Sequence, residues 1–70
     1  MKRYYVANSD GLPFPNQPNN GYTYLQAIER VQREIEECIK LFGGRRSEYT
    51  EWFEILDNNF DVVNDAKTAF

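Results

Sequence analysis

Apolar residues recur at steps of three and four through Ile28, Val31, Ile35, Cys38 and Phe42, and Leu25 and Ile39 widen the stripe. That period places them on one face of an α-helix. Glu29, Arg30, Gln32, Arg33, Glu36, Glu37 and Lys40 fill the other face. Glu29–Arg33 and Glu36–Lys40 are i,i+4 pairs in the favourable order, which adds a few tenths of a kcal/mol each. Thr23-Tyr24-Leu25-Gln26 opens the helix as a capping box: the Thr23 hydroxyl accepts from the Gln26 N–H and the Gln26 side chain reaches back. Gly43-Gly44 closes it, with one glycine in the left-handed cap.

Two other stretches have the residue types of strands. Arg3–Ala7 contains Tyr, Tyr and Val, which suit a pleated, half-buried surface. Asn8-Ser9-Asp10-Gly11 follows as a turn. The segment from Leu12 to Gly21 holds three prolines and four amides, which argues against regular structure. Pro13 and Pro15 withhold donors, so Leu12–Pro15 forms at most a short edge segment, with Leu12 and Phe14 tucked against the domain. After a polar connection over 45–51, with a short turn around Ser47–Tyr49, residues 52–56 and 60–63 read as a hairpin. A two-residue turn at Asn58-Asn59 sets Asp57 against Phe60, Ile55 against Val62 and Phe53 against Asn64. Alternation then turns Phe53, Ile55, Phe60 and Val62 toward the helix and Trp52, Glu54, Leu56, Asp61 and Val63 away from it. The tail 64–70 reads as loose or as one turn of helix.

The sum is β–loop–α–β–β, an α+β domain spanning residues 1–70. It is a sheet of about three strands with one amphipathic helix across one face. A right-handed crossover makes the first two strands parallel, with the third free to lie between them.

Composition narrows the function. Seventy residues form one small domain, and a chain this short is marginally stable. The single cysteine closes no internal disulfide, so packing must hold the fold, and five Phe, five Tyr and one Trp supply much of it. A net charge of −3 opposes general nucleic-acid binding, which needs a positive surface. No run of apolar residues is long enough to span a membrane, and the basic start lacks the apolar core of a signal peptide. A lone cysteine without an export signal fits the cytoplasm.

Catalytic chemistry finds no support in the pattern. Without histidine the chain lacks the usual acid–base group and the commonest metal ligand. Cys38 lies in the apolar stripe as a small hydrophobe, with Lys40 on another face. Glu36 and Glu37 diverge around the helix. Asp57, Asp61 and Asp65 lack the glycine turn and closing glutamate of a calcium loop. Gly43-Gly44-Arg45-Arg46 ends a helix instead of opening one, so it does not form a phosphate loop. The expectation is no catalytic, cofactor-binding or metal-binding residue.

Charge asymmetry is the feature that remains. Between Ser47 and Ala66 stand six acids and no base, interleaved with Tyr49, Trp52, Phe53 and Phe60. Such a strip can engage a basic groove, since aromatic residues form hot spots and complementary charge speeds docking. It can also be the solvated edge that keeps a sheet from aggregating. The candidate partner-binding residues are Glu48, Tyr49, Glu51, Trp52, Glu54, Leu56, Asp57 and Asp61.

The opening KRYYVANSDG, the helix GYTYLQAIERVQREIEECIKLFG and the closing FEILDNNFDVV together resemble, in layout, the short accessory proteins of bacteriophages and prophages. Anti-CRISPRs and other anti-defence inhibitors are among these. The resemblance implies a non-enzymatic inhibitor of a host nuclease or other nucleic-acid-binding protein, with Glu48, Glu51, Glu54, Asp57 and Asp61 as phosphate mimics. Two other readings stay open. One is an assembly component that forms a homo-oligomer through sheet edges or the Trp52/Leu56/Val63 face. The other is a nucleic-acid binder using Lys2, Arg3, Tyr4, Tyr5 and Arg45-Arg46.

Overall fold

The computed structural model describes residues 3–70. Strand β1 (Tyr5–Asn8), helix α1 (Tyr24–Phe42) and strand β2 (Phe53–Leu56) form its frame. Short 3₁₀ segments at Arg46–Glu48, Thr50–Trp52 and Asn64–Ala69 join and follow them. The architecture is α+β: one long helix packed on a small antiparallel sheet of two strands.

Both halves of the capping box form at the start of α1. Thr23 Oγ1 accepts from the Gln26 N–H at 3.2 Å, and Gln26 Oε1 accepts from the Thr23 N–H at 3.1 Å. At the other end the Gly43 N–H donates to Ile39 O, and the chain passes through positive φ at both Gly43 (75°) and Gly44 (92°). The middle of the stripe faces the core, with Ile28, Val31 and Ile35 buried and Ala27 beside them, but its two ends, Leu25 and Phe42, are exposed, contrary to the expectation, because the helix extends past the short sheet at both ends. Among the described residues neither expected i,i+4 pair is present; the ion pair that forms is Arg30–Glu34, at 2.8 Å. Arg30 also donates to Tyr22 Oη (3.1 Å), Asn16 O (3.2 Å) and Pro15 O (3.2 Å), so it straps the loop to the helix. Burial works against its charge, but the hydrogen bonds it donates to Glu34 and Tyr22, with their charge attraction, outweigh that and hold its pKa above the ordinary value.

β1 and β2 run antiparallel, with Tyr5 opposite Leu56 and Val6 opposite Ile55. The expected parallel pair is absent, and the reason lies in the proline-rich loop. Asn8 turns the chain, its Oδ1 accepting from the N–H groups of Asp10 and Leu12. The loop then runs back along the outer edge of β1. The Asn8 N–H donates to Leu12 O, the Phe14 N–H donates to Val6 O, and Tyr4 and Tyr22 exchange both backbone bonds. This return leg brings the chain to the start of β1 before α1 begins, so β2 must come back the other way.

The edge is sealed by a side chain. Gln17 Oε1 accepts from the Val6 N–H at 2.7 Å, and Gln17 Nε2 donates to Val6 O (2.8 Å) and Phe14 O (2.7 Å). Pro13 stands opposite Ala7, where a missing donor costs nothing at an edge. Phe14 packs edge-on against Phe53, as expected, but Leu12 is exposed.

Gly21 lies under the β1 backbone at φ +80°, and a Cβ there would meet Tyr4 O at 3.0 Å and the Tyr5 ring at 3.1 Å. Gly21→Ala is expected to destabilise the domain by about 1–3 kcal/mol, because it adds a positive-φ penalty to a contact that backbone cannot relieve. A urea titration by far-UV circular dichroism checks this.

The third strand is not formed. Asp57 and Asp61 pair across a three-residue loop, the Asp57 N–H donating to Asp61 O and the Phe60 N–H to Asp57 O. Phe60 takes φ +62°, the left-handed position of such a loop. The extra residue shifts the register by one, so Leu56 instead of Ile55 bridges Val62, and only that isolated bridge remains of the second arm. A one-residue shift exchanges the two faces. Phe60 and Val62 are therefore exposed and Val63 packs on the core, the reverse of the expectation. The chain then enters the 3₁₀ segment Asn64–Ala69, which seats Ala66 and Phe70 in the core. Arg46 Nε donates to Phe70 O and Gln32 Nε2 to Ala69 O, so this segment is docked instead of loose. Among the described residues no helix is long and apolar enough to cross a membrane.

Candidate protein-interaction surface

The structure divides the eight candidate residues into two groups. Tyr49 and Leu56 are buried, so neither offers an open contact surface, contrary to the expectation for them. Tyr49 is drawn in because its hydroxyl donates to Gly43 O and caps the end of α1. Leu56 faces away from the helix but is covered on that side: it pairs with Tyr5, and the Phe60 ring stacks on Tyr5 at 5.3 Å and 25°.

Two of the acids are engaged in local structure. Glu48 Oε2 accepts from the Arg45 N–H at 3.1 Å and braces the glycine turn. Asp57 Oδ1 accepts from the N–H groups of Asn59 (2.8 Å) and Asp61 (3.0 Å), which sets the loop's length. A carboxylate that satisfies backbone donors in this way is a poor phosphate mimic, because its lone pairs already face inward.

Glu51, Trp52, Glu54 and Asp61 keep accessible side chains. Trp52 is 53% exposed and meets the buried Tyr49 ring edge-on, at 5.4 Å and 79°. Tyr49 is itself tied to the helix cap, so the indole stands on a fixed seat. Glu54 lies in mid-strand on the sheet face away from α1, since it alternates with the core residues Phe53 and Ile55. Asp61 lies beyond the far end of β2, beside Phe60. The span from Trp52 to Leu56 is about 13 Å at the usual strand rise.

Phe60, expected in the core from strand alternation, is exposed. No local signal reveals it, because the left-handed position of a three-residue loop ordinarily holds glycine or asparagine. Its ring is 60% exposed. A shallow depression beside it is lined by Tyr4, Asp57, Asn58, Asn59, Val62 and Val63.

The residues of the nucleic-acid reading are not brought together. Tyr5 points away from the helix, whereas Tyr4 packs on Tyr24 and the core side. Arg45 and Arg46 lie at the opposite end of β1 from Arg3, and Arg46 is tied to Phe70. Lys2 lies outside the described residues. The sheet edge that a second copy would join along β1 is taken by Leu12–Phe14, Gln17 and Tyr22.

Among the described residues no three His, Cys, Asp or Glu side chains stand close enough to hold a metal ion. Cys38 is half-buried, and burial, with Glu34 and Glu37 nearby, pushes its thiol pKa up. Comparison with known proteins returns no match: no family model, curated protein or solved structure aligns with this chain.

Proposed function

We propose that this chain is a small non-enzymatic interaction module that binds a nucleic-acid-handling protein through Glu51, Trp52, Glu54 and Asp61. The observation that supports it best is Trp52, a half-exposed indole held edge-on by a buried, hydrogen-bonded tyrosine. Tryptophan is enriched among interface hot spots, and a side chain already fixed in place loses little entropy on binding. Glu51 just before β2, Glu54 within it and Asp61 in the loop after it favour a basic groove, where charge complementarity speeds docking. In the phage setting that the layout resembles, the partner is a defence nuclease in the host cytoplasm, blocked by occupancy of its nucleic-acid site.

Affinity capture from host lysate, followed by mass spectrometry, tests this reading. Recovery of a nuclease or other DNA-binding protein supports it, and recovery of none counts against it. Reversing Glu54 and Asp61 to lysine is expected to leave the melting temperature nearly unchanged and to weaken capture. Trp52→Ala is expected to weaken it by about 2 kcal/mol, roughly 30-fold. Charge reversals that unfold the domain and leave affinity intact would make the acids structural.

A further inference from the structure

Phe60 stands where the backbone disfavours it. Its φ of +62° lies in the left-handed region, which glycine or asparagine enters readily and a bulky side chain does not. Burial does not compensate, because the ring is 60% exposed. Tyr5 stacks on one ring face, at 5.3 Å and 25°, and the opposite face is left to solvent. Backbone outliers of this kind cluster at ligand sites.

The groups gathered around Phe60 define the chemistry of such a ligand. The Tyr4–Tyr22 backbone pair brings the turn at Asn19-Asn20 to the start of β1. The Arg3 N–H donates to Asn58 Oδ1, which fixes the hairpin loop at the same point. Two adjoining depressions result, of about 430 Å³ and about 370 Å³, and Asn58 lines both. Each lies in the usual size range of small-ligand sites. The smaller is completed by Arg3, Tyr5, Asn19 and Asn20. The larger takes its polar lining from Tyr4, Asp57 and Asn59 and its apolar part from Val62 and Val63. All four asparagines are exposed. An amide both donates and accepts, as a phenol does. The one cation of the lining, Arg3, is offset by the one anion, Asp57. A lining of this kind matches a ligand rich in hydroxyls, each of which also donates and accepts, and gives a charged ligand no advantage. The C–H face of a sugar ring suits the open face of Phe60.

We propose that this end of the domain binds a neutral oligosaccharide, with sugar hydroxyls on the four asparagine amides and one sugar ring packed on Phe60. Neither depression is lined by Glu51, Trp52, Glu54 or Asp61, so the site is separate from the protein-interaction surface and does not depend on it.

Amide NMR spectra of the isotopically labelled 70-residue chain, titrated with cellotriose, maltotriose, mannotriose and chitotriose, provide the test. At least one trisaccharide is expected to shift the signals of Asn19, Asn20, Asn58, Asn59 and Phe60 with a dissociation constant of about 1 mM, while those of Glu51 and Glu54 stay in place. Phe60→Asn removes the ring but suits the positive φ, so the fold should persist by circular dichroism and the dissociation constant should rise about tenfold. Asn20→Ala, in the other loop, acts in the same direction. Absence of shifts with all of these sugars overturns the proposal. So does binding that Phe60→Asn and Asn20→Ala leave unchanged. An equal response to inorganic phosphate also overturns it, because it would assign the site to Arg3 alone.

Discussion

Replacing Ile35 by alanine should cost about 2–5 kcal/mol of stability, the range for removing a large aliphatic side chain from a filled site. Ile35 is fully buried at the centre of the stripe. It belongs to one core cluster with Val31 on the helix, Val6 and Ile55 on the sheet and Phe70 from the tail. Each of those residues comes from a different element, so no single local shift can fill the space. A domain of this size carries a small margin, and a loss in that range removes most of it. Urea titration should show the midpoint falling sharply. Phe42→Ala, on the same face two turns later, should change it by less than about 0.5 kcal/mol, as expected for an exposed position. Equal losses at the two positions would mean that burial along the stripe does not fade as described.

Gln17→Leu should cost about 1–3 kcal/mol, as much as the backbone clash at Gly21 in the same proline-rich loop. The substitution keeps the volume of the side chain roughly constant and removes its amide. The Val6 N–H then loses its only acceptor at the outer edge of β1, while Val6 O keeps the Phe14 N–H. A part-buried donor without a partner costs its full desolvation, which explains why a polar loop residue should matter as much as a core one. Amide hydrogen exchange gives the specific readout. The Val6 amide should lose protection far beyond the change in global stability, whereas Ile35 should track the global value. Unchanged protection at Val6 would mean that the Gln17 amide does not bear on the strand.

How much of this could be read along the chain depends on the range of each interaction. The capping box of α1 was legible because Thr23 and Gln26 satisfy each other within one turn. The turn at Asn8 was legible for the same reason. Arg30 was misplaced on a solvent face because its acceptors, Pro15 and Asn16, come from a loop whose path the local pattern does not show. Gln17 looked like one more amide in a disordered-looking run, since its partner is eleven residues away. In the candidate surface, Tyr49 has the composition of a hot spot, but its hydroxyl found the carbonyl that ends the helix and the ring was buried.

The hairpin shows how one residue decides a surface. Asn58-Asn59 is a good two-residue turn in isolation. The structure builds a three-residue loop instead, because Asp57 captures the N–H groups of Asn59 and Asp61 and the Phe60 ring finds Tyr5. Strand periodicity is two, so this single insertion exchanged core and solvent for Phe60, Val62 and Val63 together.

Local patterning is enough to place the helix, its two ends, the buried middle of its stripe and the α+β class, because these follow from periods and caps that act over three or four residues. Strand direction, hairpin register, the exposure of the stripe's ends and which acids and rings remain accessible are settled in the folded domain alone. Those outcomes depend on contacts between residues far apart in the chain, such as Tyr22 with Tyr4, Gln17 with Val6 and Phe60 with Tyr5. They form only when the whole domain closes around its core, and local preference carries no information about them.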